Sequence, residues 1–241
     1  MITPPQGERI AKFLAHCGVC SRRDGEAYIT QGRVKCNGVV VTSPVTFIGP
    51  TDRVEVDGAP VTPPTHEKLW LFYKPVGLIT THKDPQGRTT VFEYAQSKGL
   101  PRVVSVGRLD INSEGLLLLT TSSRFAHAAE KPATGWERTY RVRVFGQLPI
   151  NDLLALKNGI TLDGIHYGPI TVEIEAPNQS RNQWIYMTLT EGKNREIRKI
   201  LNHFGLQVNR LIRVRYGPYD LQDLKPGEFK SALLAATSGF I

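Results

Sequence analysis

Apolar residues in the first 60 positions follow two periods in succession. In "ERIAKFLAHCG" Ile10, Phe13, Leu14 and Cys17 fall at i, i+3, i+4 and i+7, one face of a helix, with Gly18 placed to end it. A second helix is predicted to start at Ser21, an N-cap with Asp24 three residues on, and to stop at Gly32. The period then becomes two: Val34 and Cys36 alternate, Asn37-Gly38 predicts a type I′ turn, and Val39 to Val41 return. Helix, helix and hairpin make a small module over 7–60, and the Pro-rich residues 61–67 read as a linker.

Beyond Lys68 strand patterns dominate, in "LWLFYK", "VVSVGR", "GLLLLTT", "TYRVRVFG", "ITVEIEA" and "WIYMTLT". The clearest helix is "NREIRKILNHFG", with Ile197, Ile200, Leu201 and Phe204 as its stripe, Asn194 as cap and Gly205 as stop. The expected fold class is α+β: a second domain over 68–228 with a mixed, mostly antiparallel sheet, then a tail over 229–241. No G-x-G-x-x-G follows a strand and no P-loop occurs, so neither a nucleotide cofactor nor a methyl donor bound in the doubly wound manner is expected.

Composition narrows the partner. The chain of 241 residues carries a formal charge of +8, which favours a polyanion. Residues 1–67 hold seven basic and seven acidic residues, so the excess lies in the larger domain. Between Lys193 and Arg215 seven basic residues face one acid, Glu196, a run read as phosphate contact. No apolar run reaches the roughly 20 residues of a membrane span, and "MITPPQGERI" lacks the regions of a secretion signal, so the expected location is the cytoplasm. Cys17-Gly-Val-Cys20 has zinc-like spacing, but Cys17 belongs to the apolar stripe and only Cys36, His16 and His66 stand nearby; these are read as free thiols, with no metal and no cofactor.

One acid stands out against the basic background. In "VGRLDINSEGL" Gly107 frees the backbone to leave a strand, and Asp110 follows before a buried leucine strand. A carboxylate held there needs a cation to stay ionised, and an ionised, positioned carboxylate is a nucleophile or base. Helix phase turns Arg195 and Lys199 outward to meet phosphates and sets Arg198 on the flank, beside the interior, where it would need an anion. In the small module Arg22 and Arg23 occupy a helix first turn, where the macrodipole disfavours them, so a role outside helix stability is indicated.

"ERIAKFLAHCGVCSRRDGEAYITQGRVKCNG" resembles the small RNA-binding domain named after ribosomal protein S-four, which implies RNA contact through Arg9, Arg22, Arg23 and Arg33. "VGRLDINSEGLLLLT", with "YKPVGLITT", "ERTYRVRV", "EGKNREIRKI" and "VNRLIRVRYGPYDLQDLKPGE" in order, is similar to bacterial ribosomal-RNA pseudouridine synthases of the RsuA/RluB type, nearest the large-subunit branch. The resemblance implies Asp110 as catalytic aspartate, Arg198 as its partner and Tyr140 as the residue that stacks on the base and moves a proton. It implies that Arg108 supports the flipped nucleotide, and that Lys74 belongs to a structural or substrate-side motif; Lys74 is read, with the outward Arg195 and Lys199, as lying on the RNA side. The expected partner is ribosomal RNA, free or in an assembling subunit, met by a monomer. Asp110 would attack C1′ or assist loss of the base. Where the family has Asn-Asp-Gly, this chain has Thr121-Ser122-Ser123, read as an acid lost from the edge of the site. The reading from another class is a non-catalytic RNA-binding assembly factor, in which Asp110 would be idle.

Overall fold

A computed structural model describes residues 7–63, 66–175 and 180–237. Residues 64 and 65 of the linker and the last four of the tail lie outside the described residues.

In the small module α1 (Ile10–His16) ends at Cys17 with Gly18 at φ 74°, and α2 (Arg22–Thr30) is capped by Ser21, whose Oγ accepts from the Asp24 amide at 3.1 Å. Strands β1 (Val34–Cys36) and β2 (Val39–Val40) are joined by Asn37 and Gly38 at φ 53° and 82°, the positive pair of a type I′ turn. β3 (Val54–Val56) and β4 (Ala59–Val61) complete a four-stranded sheet against which Ile10, Leu14 and Ile29 pack. Cys17, Cys20 and Cys36 are free; burial, with Glu8 nearby, pushes the Cys17 thiol up to about 11, so it is protonated at neutral pH.

The larger domain runs β5 (Leu69–Lys74), α3 (Val91–Ser97), β6 (Val104–Val106), β7 (Glu114–Thr120), α4 (Ser123–Glu130), β8 (Arg138–Phe145), α5 (Ile150–Ala155), β9 (Ile170–Glu175), β10 (Asn182–Leu189), α6 (Glu196–His203), β11 (Gln207–Tyr216) and β12 (Phe229–Ala232). Its main sheet has the order β9-β10-β8-β11-β7-β5-β12, antiparallel except where β11 meets β7. β12 corrects the expected domain end at 228: Phe229 stacks on Phe72 at 4.3 Å and its strand closes the β5 edge. Among the described residues no helix is long and apolar enough to cross a membrane.

β7 explains its leucines. Leu116 and Leu118 pack into one core and Leu117 and Leu119 into another, so the strand is buried on both faces, as an unbroken apolar run requires. One edge of β7 also forks. Its last residues pair with β6, and its first two, Glu114 and Gly115, pair in parallel with Ile212 and Arg213 of β11. The seven-residue connection between β6 and β7, which carries Asp110, sits at that fork.

Gly115 makes the fork possible. It stands at φ 100°, and a Cβ there would lie 2.3 Å from the Arg213 carbonyl oxygen. Gly115→Ala is expected to destabilise the protein by at least about 2 kcal/mol, through strain and a clash with backbone that cannot swing away. Urea unfolding checks this.

Two expectations need correction here. The last helix does not start on an Asn194 cap: Arg195 occupies the N-cap position in the left-handed region at φ 52°, after a turn in which the Glu196 carboxylate accepts from the Lys193 amide at 2.9 Å. Ser122 is not at the edge of the Asp110 site. It lies beyond the far end of β7 and caps α4 through the Phe125 amide at 3.0 Å, a task that Ser and Asp perform equally well.

Candidate active site

The loop that carries Asp110 has few ladder partners for its backbone, yet its carbonyls are held one after another. Arg213 reaches the Arg108 carbonyl at 3.5 Å, the Thr80 hydroxyl donates to Leu109 at 2.9 Å, and the Gly77 amide donates to Ile111 at 2.9 Å. Lys74 Nζ donates to the carbonyls of Pro75, Asp110 and Ser113 at 3.1, 3.1 and 2.8 Å. Arg198 Nη2 donates to Asn112 at 2.9 Å while its Nη1 holds Val208 on β11. Three cations from three separate elements thus grip the backbone from Arg108 to Ser113. They fix the base of the loop and leave the Asp110 side chain half exposed.

This arrangement corrects the substrate-side reading of Lys74 and leaves the structural one. The residue is 0% exposed and touches carbonyls, so it cannot meet RNA; it is a clamp at the end of an apolar strand. Burial lowers its ammonium to about 8, against the opposing pull of Asp110 and Glu114. Arg213, 2% exposed, is a second clamp that no single-residue motif disclosed; its Nε donates to the Leu116 carbonyl at 2.7 Å. A sequence signal did exist, because both lie in strands whose neighbours are apolar.

The partner of Asp110 is also corrected. Arg195 Nη1 stands 3.3 Å from Asp110 Oδ2, whereas Arg198 serves backbone carbonyls and leaves its Nε with no hydrogen-bond partner. The helix begins one residue later than an Asn194 cap would place it, and the left-handed Arg195 turns back toward the loop.

Asp110, Arg108, Tyr140, Arg195 and Arg198 line one cleft of about 1060 Å³, together with Glu196 and Arg213. The sheet accounts for this convergence. Tyr140 of β8 is opposite Arg213 of β11, which is opposite Gly115 of β7, so two strand spacings, about 10 Å, separate Tyr140 from the Asp110 side. A bulge in β11 between the partners of Thr139 and Tyr140 re-aims the strand at that point. Arg108 is exposed on the cleft wall, and Lys199 is exposed one turn along α6 but outside the cleft lining.

The basic run is less free than its charge suggests. Arg210 makes a two-pronged pair with Glu114, at 2.5 and 3.0 Å, which holds that carboxyl below its usual range against the effect of burial. Lys193 is paired with Glu191, and Arg215 faces Asp220 at 3.8 Å. In the small module Arg22 and Arg23 are exposed with no ion pair among the described residues, and Arg9 lies exposed with its guanidinium 5.9 Å from the Phe47 ring centre. Arg33, by contrast, is engaged internally: it forks onto Asp57 at 2.9 and 2.5 Å and lies 3.9 Å over the Tyr28 ring.

A cleft that joins a carboxylate on a fixed loop, a tyrosine and several cations, in a chain whose small module exposes Arg22 and Arg23, fits an enzyme that acts on RNA. The family described as RNA pseudouridylate synthase matches residues 68–203, and the S4 domain matches residues 8–54. A protein of Rickettsia felis named an uncharacterized RNA pseudouridine synthase is 48% identical over 223 residues, covering 92% of this chain and 96% of that one. The ribosomal large subunit pseudouridine synthase B of Yersinia pestis is 40% identical over 245 residues, covering 96% of this chain and 74% of that one. A crystal structure of a pseudouridylate synthase, 25% identical, matches with a TM-score of 0.64 over 93% of this chain and 96% of that one. The chain belongs to the RNA pseudouridine synthase family: it is an isomerase that carries an N-terminal S4 domain.

Proposed function

We propose that the protein converts a uridine of large-subunit ribosomal RNA to pseudouridine, with Asp110 as its catalytic group. The observation that carries this reading is the loop itself: backbone fixed by Lys74, Arg198 and Arg213, carboxylate presented to the cleft. Fixing the backbone while leaving the side chain accessible prepares a group to act on a substrate from outside. The choice of ribosomal RNA follows the name of the Yersinia pestis relative.

The target base leaves its stack and enters the cleft, at a cost of a few kcal/mol that phosphate contacts offset. Arg108 on the cleft wall supports the displaced nucleotide. The N1 to C1′ bond breaks, the uracil turns, and a C5 to C1′ bond forms; the proton on C5 is lost and N1 gains one, so nothing is consumed. Asp110 works ionised on the ribose side, attacking C1′ or assisting loss of the base, and Tyr140 stacks on the uracil and moves the proton. Arg9, Arg22 and Arg23 of the S4 domain and Lys199 of α6 meet RNA phosphates. We infer a cytoplasmic monomer acting on free RNA or on an assembling subunit.

Mapping pseudouridine in ribosomal RNA from cells with and without the gene tests the proposal. One large-subunit site is expected to disappear with the protein; an unchanged map would overturn the ribosomal target.

A further inference from the structure

The structure gives Asp110 two arginines, and they differ in kind. Arg195 makes a single contact at 3.3 Å, and both side chains are about half exposed, 49% and 47%. Such a pair is weak and easily exchanged. Arg195 lines the cleft together with Lys193 and Asn194, and an RNA phosphate would offer its guanidinium two oxygens. Arg195 is also held at φ 52°, a strained conformation for a residue with a side chain, which persists where the surroundings over-determine it.

Arg198 is the opposite case. It is half-buried and anchored at both terminal nitrogens, to the carbonyls of Val208 on β11 and Asn112 in the loop. Its Nε is buried without a partner, and it acts electrostatically with both Arg195 and Asp110. The site therefore holds one exposed cation on the carboxylate, by a single contact, and one anchored cation with an unused donor.

We propose that Arg195 is a positioning residue that holds Asp110 only while RNA is absent: on binding it moves to a phosphate, and Asp110 passes to Arg198. This rests on Asp110 as the catalytic group. Arg195 thus keeps the carboxylate compensated in the empty cleft, and the arriving backbone exchanges one anion for another on the same guanidinium. The carboxylate leaves the exposed arginine only when a nucleotide is in place.

A double-mutant cycle read in binding tests the exchange, with transcribed large-subunit ribosomal RNA as probe. Asp110→Asn frees Arg195 in advance and is expected to tighten RNA binding about two- to five-fold, the release of an exposed ion pair. In an Arg195→Gln background the same change is expected to have no effect. Arg195→Gln alone is expected to make the slope of log K against log salt shallower by about 0.7 to 0.9, the loss of one phosphate contact, and Arg195→Lys to restore it. With Asp110 present, Arg195→Gln raises KM while kcat at saturating RNA falls less than about three-fold, because Arg198 serves the bound state.

Equal tightening by Asp110→Asn in both backgrounds, or none in either, would overturn the exchange. So would an unchanged salt slope with a kcat loss of about 100-fold or more, which would make Arg195 a permanent partner. Melting temperatures within a few degrees of the parent verify that each variant is folded. A wild-type protein that binds this RNA but forms no pseudouridine would strike the proposed function and leave the binding cycle to decide the exchange.

Discussion

Asp110→Asn is expected to lower pseudouridine formation by at least about 10⁴-fold while the protein stays folded and binds RNA. Asn matches Asp in size and keeps a carbonyl oxygen, but it carries no charge and is a poor nucleophile and base. The loop does not depend on the lost carboxylate. Its backbone is held by Lys74, Arg198, Arg213, Thr80 and Gly77, none of which bonds the Asp110 side chain. The one ion pair removed is half exposed, so stability should change by less than about 1 kcal/mol. Tritium release from 5-tritiated uridine in ribosomal RNA measures turnover, and thermal unfolding measures the fold. Pseudouridine formation near the wild-type rate would remove Asp110 from the chemistry and favour a site elsewhere in the cleft.

Lys74→Met should have the largest effect on stability, about 3 to 4 kcal/mol. Methionine fills similar space, so the loss is polar: the carbonyls of Pro75, Asp110 and Ser113 lose a charged donor, and Asp110 keeps the Ser113 amide at 3.0 Å. Each buried carbonyl left bare costs about 1 to 3 kcal/mol, partly offset by no longer burying an ammonium. Turnover should fall at least about 100-fold, because the loop that aims Asp110 is no longer fixed.

The same residue gives a dependence on pH with a definite sign. Burial lowers the native Lys74 ammonium from 10.5 to about 8, so between about pH 8 and 10.5 the unfolded chain binds the extra proton. Stability contributed at this position therefore rises with pH across that window. The difference in unfolding free energy between wild type and Lys74→Met should widen by no more than about 3 kcal/mol from pH 8 to 10.5. A difference that narrowed instead would show that the ammonium is stabilised, not penalised, by its site.

Much of the fold was legible because it rests on local rules. The Ser21 cap, the Asn37-Gly38 turn and the stops at Gly18, Gly32 and Gly205 follow from backbone freedom and hydrogen bonding within a few residues. The run from Leu116 to Leu119 announced a strand buried on both sides, and it is one. Asp110 was legible as an acid isolated in a basic domain, and helix phase placed Arg198 beside the interior.

What failed was the assignment of cations to partners. Lys74 looked like an RNA contact and is a buried clamp; Arg33 and Arg210 looked free and are forked onto Asp57 and Glu114. Arg195, expected to point only outward, reaches back to Asp110 across 85 positions of sequence. Sequence alone determined the modules, the caps and turns, the buried strand and the residue types available for chemistry, because these depend on neighbours along the chain. Only the tertiary structure decided which charge neutralises which. Ion pairs and carbonyl clamps form between residues far apart in sequence, and the fork at Gly115, where β11 meets β7, brings them together.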